Sequence, residues 1–209
     1  MIAKEGYPYI AFLTITAVAV GVVFGVPWSI APAVLSVYVT YFFRNPNRSV
    51  IYDPKLILAP ADGRVMSVET IFEDQFFHGP AIKVSIFLSI FDVHINRIPV
   101  EGTIKYQKYT CGKLKPAYKK SAPLENERHT IGLENEKTKI MITQVAGVLA
   151  RRIVSWVALG DEVQQGQRYG MIKFSSCTEI IMPADVDVFV AKGERVKGGK
   201  TIVGRLCEE

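Results

Sequence analysis

The sequence predicts a mainly β protein, with a compact barrel-sandwich-like β domain preceded by an N-terminal α-helical membrane hairpin. Three observations predict this. From Gly6 to Phe43 there is no Asp, Glu, Lys or Arg. From Leu56 onward, short β-branched and aromatic runs alternate with turn residues. A phrase of the form Gly-acid-x-Val-x-x-Gly, followed by an apolar strand, occurs twice near the C-terminus.

The charge-free span comes first. One membrane crossing takes about 20 apolar residues, so the span holds two helices and a break. "GVP", Gly25 to Pro27, supplies the break, because Gly frees the backbone and Pro cannot continue a helix interior. Tyr7, Tyr9, Trp28, Tyr38 and Tyr41 fall near the ends, as interface aromatics do. The apolar stretch is too long for a signal peptide, and no small-residue cleavage site in it is followed by a mature start. Pro32 in the second segment leaves open a shallow hairpin lying in the interface. "RNPNR" follows, and Arg44 and Arg48 beside the exit put the downstream domain on the cytoplasmic side. A pair of buried core helices is the bland alternative. The expected division is 1–48 for hairpin and exit linker, and 49–209 for the β-rich domain.

The strand segments come next. "KVSIFLSIF" (Lys83–Phe91), "KIMITQVAG" (Lys139–Gly147), "MIKF" and "DVFVAKG" have strand composition and turn residues at their borders. "LGDEVQQGQRYGMIKF" and "AKGERVKGGKTIVGRL" form the internal repeat, and "APADGRVMSVE" is a third relative with a turn at Asp62-Gly63. Repeated short hairpins argue for a small barrel or sandwich. Their spacing is similar to that of biotinyl and lipoyl carriers, which present a Lys at a hairpin tip where this chain has Ser-Ser-Cys. One helix is expected around "VLARRIVSWV", Val148–Val157, against its β-branched content.

A net charge of +5 over 209 residues favours anionic partners such as acidic lipid surfaces. Nucleic acid is not expected, since no basic run is interleaved with aromatics. Cys111, Cys177 and Cys207 lack CxxC spacing, and His78, His94 and His129 lack ligand spacing. No metal and no disulfide framework are expected, and the cysteines suit a reducing compartment.

Several residues have the chemistry for function, each with a plainer reading beside it. Ser175-Ser176-Cys177 offers three nucleophiles at a strand junction, or simply a loop, and no Gly-x-Ser-x-Gly elbow surrounds it. His94, in "SIFDVHINRIP", is a general acid or base, or a packed core histidine. Asp62 is a functional carboxylate or a turn cap. "GKLKPAYKKSAP" and "NERHT" bind an anionic headgroup or form a solvated connection.

The ordered series "FFRNPNR", "APADGRV", "VSIFLSIFDVHINRIPVEG", "APLENERH", "QVAGVLARRIV" and "GDEVQQGQRYGMIKFSS" resembles the short bacterial-type phosphatidylserine decarboxylases. The resemblance runs from about Tyr41 to the C-terminus. It implies an enzyme that uses no metal or diffusible cofactor and makes a pyruvoyl group from its own serine. A decarboxylated amino acid leaves a carbanion, which needs an electron sink that no side chain offers. By position, Ser176 becomes that pyruvoyl after cleavage between Ser175 and Ser176, the large and small chains remaining associated. The resemblance also assigns Asp62 and His94 to proton transfer; by their charge, Arg97, Lys119 and Lys120 are candidates for the lipid phosphate. It implies an anionic phospholipid substrate and the bacterial inner (cytoplasmic) membrane, and it is compatible with a homo-oligomer. Two positions depart from the family pattern: Ser175 stands where Gly is usual, and Arg97 where longer members carry a second histidine. Two other readings compete. One is a non-catalytic membrane-anchored β-barrel that binds lipids or partners. The other is a hydrolase using Ser176 or Cys177 with His94.

Overall fold

The computed structural model of the chain describes residues 1–50, 52–112, 125–147, 153–173 and 176–207. The chain divides into two compact units, Met1–Asn47 and Arg48–Glu209.

The first unit is the helical hairpin. Helix α1 spans Tyr7–Phe24 and helix α2 spans Val26–Phe42, with Gly25 at φ 92 between them. Each has a proline in its first turn, where a missing N–H leaves no bond unmade. Thr14 and Ser36 share a hydroxyl–hydroxyl bond across the pair at 2.9 Å. The N-terminus closes the open end: Ala3 N donates to Phe43 O at 2.8 Å, and Asn45 N donates to Met1 O at 2.7 Å. Phe12, Ile15, Val22, Trp28, Val34 and Val37 all point outward and are exposed. Exposed apolar side chains on every face suit lipid rather than water. Lys4–Phe24 is long and apolar enough to cross a membrane, whereas α2, at 17 residues, rises about 26 Å and falls short of a full hydrocarbon core.

The second unit is built from strands, in chain order β1 (Leu56–Leu58), β2 (Gly63–Glu73), β3 (Gly79–Leu88), β4 (Ile95–Arg97) and β5 (Gly102–Thr110). They continue as β6 (Arg128–Glu134), β7 (Lys139–Ala146), β8 (Ile153–Ser155), β9 (Glu162–Val163) and β10 (Arg168–Ile172). The last are β11 (Ser176–Pro183), β12 (Asp187–Val188), β13 (Arg195–Val196) and β14 (Ile202–Arg205). Eight of them make one curled sheet, a half-barrel in the order β13-β2-β3-β11-β7-β6-β5-β9. Two three-stranded sheets, β1-β14-β12 and β4-β10-β8, complete the unit. The expected mainly β fold with an N-terminal helical hairpin is therefore the observed one.

Strand alternation sets the two faces of the large sheet. Val84, Ile86 and Leu88, Ile131 and Leu133, Ile140 and Ile142, and Ile180 and Met182 belong to one buried cluster inside the curl. The odd-numbered positions of β7 and β11 turn the other way, where Met141 packs with Ile181 and Val145 with Cys177. Strands β7 and β11 are thus covered on both faces, which explains their near-continuous apolar character.

The internal repeat has a structural counterpart. Ala158 N donates to the Asp161 carboxylate at 2.8 Å, and Ala191 N donates to the Glu194 carboxylate at 3.1 Å. Gly160 and Gly193 adopt matching φ values of 92 and 94 in these turns. The helix expected over Val148–Val157 is not borne out in its described part. Ile153–Ser155 form β8, paired antiparallel with β10, and residues 148–152 lie outside the described residues. Ile153 and Val154 are β-branched, and an open edge of β10 was available to them.

Gly63 opens β2 so close to β3 that a Cβ would collide with the Phe87 carbonyl oxygen, whereas a Cβ at Gly193 meets open space. Gly63→Ala is expected to destabilise the protein by about 2–3 kcal/mol, and Gly193→Ala by about 1 kcal/mol through its positive φ alone. Guanidinium unfolding in detergent, followed by tryptophan fluorescence, measures both.

Candidate active site

Strand β11 lies between β3 and β7, and Ser176 is its first residue, opposite Leu88 on one side and Ala146 on the other. Ser176, Thr178, Ile180 and Met182 alternate onto the inner face. Ser176 is fully buried, and its Oγ has no hydrogen-bond partner among the described residues.

The small sheet β4-β10-β8 brings in the histidine. Ile172 N donates to His94 O at 3.2 Å, extending the register in which Met171 faces Ile95. Ile172 packs on Ala146, the strand partner of Ser176. His94 is the cross-strand neighbour of Ile172, so its side chain shares the face turned toward that row. The imidazole is fully buried, and Nδ1 lies 3.0 Å from Asp92 O. A carbonyl only accepts, so Nδ1 carries a proton, and Nε2 is the ring nitrogen that is basic in the neutral form. Asp92 in turn accepts from Ser89 N at 2.8 Å and Ser89 Oγ at 2.7 Å, fixing the turn after β3.

Beside Ser176 runs a chain of buried polar side chains that the sequence reading did not single out. Asn96 donates to Thr178 Oγ1 at 3.0 Å, and Gln144 donates to Asn96 Oδ1 at 2.8 Å. His129 Nδ1 meets Gln144 Oε1 at 3.4 Å, and Gln107 Nε2 donates to His129 Nε2 at 3.0 Å. Burial lowers the His129 pKa, the Gln144 bond opposing it, so this ring is neutral at neutral pH. The available signal was parity. His129 alternates with Ile131 and Leu133, and Gln144 with Ile140 and Ile142, which puts both on the inner face.

The remaining candidates sit apart from Ser176. Asp62 accepts from Arg48 Nη1 at 2.5 Å, from Arg48 Nη2 at 2.7 Å and from Gly198 N at 2.8 Å. Its strand, β2, is separated from β11 by β3, so two strand spacings, about 10 Å, lie between the Asp62-Gly63 turn and Ser176. Arg97 is buried and donates to Gly166 O at 2.9 Å. Burial, with Arg48 and Arg168 nearby, lowers its pKa to about 10, which leaves it charged at neutral pH. The structure therefore links His94 to the strand next to Ser176 through Ile172 and Ala146, and commits the Asp62 carboxylate to Arg48 and Gly198. Ser175, Lys119 and Lys120 lie outside the described residues.

Cys177 turns away from this face and packs against Val145, Met66 and Phe87. Burial, reinforced by the Glu179 carboxylate, pushes its thiol well above the ordinary value, so it carries no thiolate to act as a nucleophile.

Known sequences share this chain over nearly its whole length. Residues 35–204 match the family described as phosphatidylserine decarboxylase. The phosphatidylserine decarboxylase proenzyme of Carboxydothermus hydrogenoformans is 46% identical over 204 residues, covering 97% of this chain and 95% of the relative. That of Symbiobacterium thermophilum is 45% identical over 209 residues, covering 99% and 96%. That of Syntrophotalea carbinolica is 39% identical over 212 residues, covering 98% and 96%.

Two measurements check the site's surroundings. A maleimide should label the exposed Cys111 and Cys207 in the native protein and reach the buried Cys177 only on unfolding. Because the folded pKa of His129 is depressed, its contribution to stability is present above the unfolded value of about 6.5 and is lost as pH falls. His129→Gln should flatten that acid limb in denaturant titrations between about pH 7 and 5.

Proposed function

The chain belongs to the phosphatidylserine decarboxylase family, and from that premise we propose that it converts phosphatidylserine to phosphatidylethanolamine after cutting itself between Ser175 and Ser176. One observation carries the reading: a buried serine hydroxyl, unbonded among the described residues, at the head of a central strand. Leaving such a hydroxyl without a partner costs about 1–3 kcal/mol, a cost expected where the oxygen is held ready to react. That orphaned oxygen suits Ser176 as the precursor of the pyruvoyl group.

In processing, Ser176 Oγ adds to the carbonyl carbon of residue 175 while its proton passes to His94 Nε2. The amide nitrogen takes a proton and leaves, so an ester replaces the peptide bond. Loss of the α-proton of residue 176 breaks the ester C–O bond, and water replaces the nitrogen of the resulting dehydroalanine as ammonia. When present, the pyruvoyl carbonyl supplies the electron sink that loss of carbon dioxide requires. During turnover His94, once protonated, returns a proton to the substrate α-carbon. Asp62 serves from a distance, since its clamp on Arg48 and Gly198 fixes the turn that leads into β2. Lys119 and Lys120 meet the lipid phosphate, and Arg97, charged and buried, adds positive potential.

The cut chains, 1–175 and 176–209, stay together because β11 is paired along its length with β3 and β7 of the larger one. The hairpin anchors the enzyme in the bacterial inner membrane with the β domain on the cytoplasmic side, a reading supported by the apolar Lys4–Phe24 segment and the arginines after it.

Carbon dioxide release from phosphatidylserine in mixed vesicles tests the assignment. Ser176→Ala should show none above background, His94→Gln a kcat lowered by about 10²–10⁴-fold, and Cys177→Ala near wild-type turnover. Wild-type release by Ser176→Ala would refute the reading.

A further inference from the structure

The row that carries Ser176 continues across the sheet beyond Ala146. Ala146 N donates to Glu127 O at 2.9 Å, one step past the β6–β7 register in which Arg128 faces Val145. Cross-strand neighbours point to the same face, so Glu127, Ala146, Ser176 and Leu88 form one inner row. The same parity holds along the chain, since Glu127 alternates with His129, Ile131 and Leu133, and the last two are in the inner core. Two strand spacings put Glu127 and Ser176 about 10 Å apart, and the side chain between them on that row is the methyl group of Ala146, on which Ile172 packs. Asn126 Nδ2 donates to Ala146 O at 2.7 Å and holds this end of the ladder in place.

Glu127 Oε1 is buried and has no hydrogen-bond partner among the described residues. A buried carboxylate oxygen without a donor is uncommon and calls for one. Here it shares a row with a second orphan, the Ser176 hydroxyl. Two buried polar atoms without a partner among the described residues, flanking one small side chain of the same row, suit a small polar group.

We propose that Glu127 receives the ammonium group of the amino-acid headgroup and directs it at position 176. This rests on the decarboxylase reading, in which a primary amine must meet a carbonyl at that position. An ammonium ion is no nucleophile. It donates a hydrogen bond to the carboxylate and then gives up one proton: an N–H bond breaks, an O–H bond forms on Glu127, and the electron pair stays on nitrogen. Glu127 is therefore a catalytic residue that touches substrate, while His94 serves the carbon end.

Hydroxylamine separates this role from a structural one, because it is already a neutral nucleophile at pH 7 and needs no base. In wild type and Glu127→Gln, intact mass should find the same two chains, and hydroxylamine should add to the small chain at the same rate. Reductive trapping of phosphatidylserine on that chain with cyanoborohydride should fall about 100-fold or more in Glu127→Gln. Equal trapping of the lipid by both proteins overturns the proposal. So does a variant that stays uncut, or one that loses hydroxylamine reactivity in step with lipid trapping. A wild-type protein that is itself a single chain without a hydroxylamine adduct fails earlier, at the decarboxylase reading.

Discussion

The register of β11 between β3 and β7 is the constraint on which the site depends. Ser176 faces inward because its partners are Leu88 and Ala146, and a slip of one residue would turn Cys177 inward and Ser176 out. Burial on both faces of the strand forbids that slip. Ile180 and Met182 would have to leave the central core, and Ile181 would have to enter it. Which of the two side chains, Ser176 or Cys177, faces inward is thus decided by hydrophobic patterning several residues away.

Polar groups inside a curled sheet are costly unless each finds a partner. The chain from Gln107 through His129, Gln144 and Asn96 to Thr178 meets that requirement, and it ends two residues from Ser176. Ser176 Oγ and Glu127 Oε1 are left out of it. A satisfied network of this kind offsets the cost of burying its polar members and rigidifies the inner face next to Ser176.

Much of this was legible in the sequence, for reasons that also explain the rest. The hairpin was legible because a span without charge admits few other structures, and the break was written in Gly25 and Pro27. The paired turns at Gly160 and Gly193 were legible because their spacing repeats. In the described part of Val148–Val157, the β-branched Ile153 and Val154 pair with β10, so tertiary pairing rather than helical pattern sets that segment. Arg48 was read as charge flanking a membrane, whereas the fold joins it to Asp62, a long-range pairing that local pattern cannot disclose. His94 and Ser176 stand out as candidates through the order of motifs. Asn96, Gln144 and Glu127 required strand parity, a signal present in the sequence but informative only once the register is known.

The central claim is that Ser176 is converted by the chain itself. The intact mass of the purified protein addresses it most directly. The account predicts two chains, the smaller starting at position 176 with a blocked terminus whose mass is that of a pyruvoyl group. One full-length chain that nevertheless releases carbon dioxide from phosphatidylserine would contradict it.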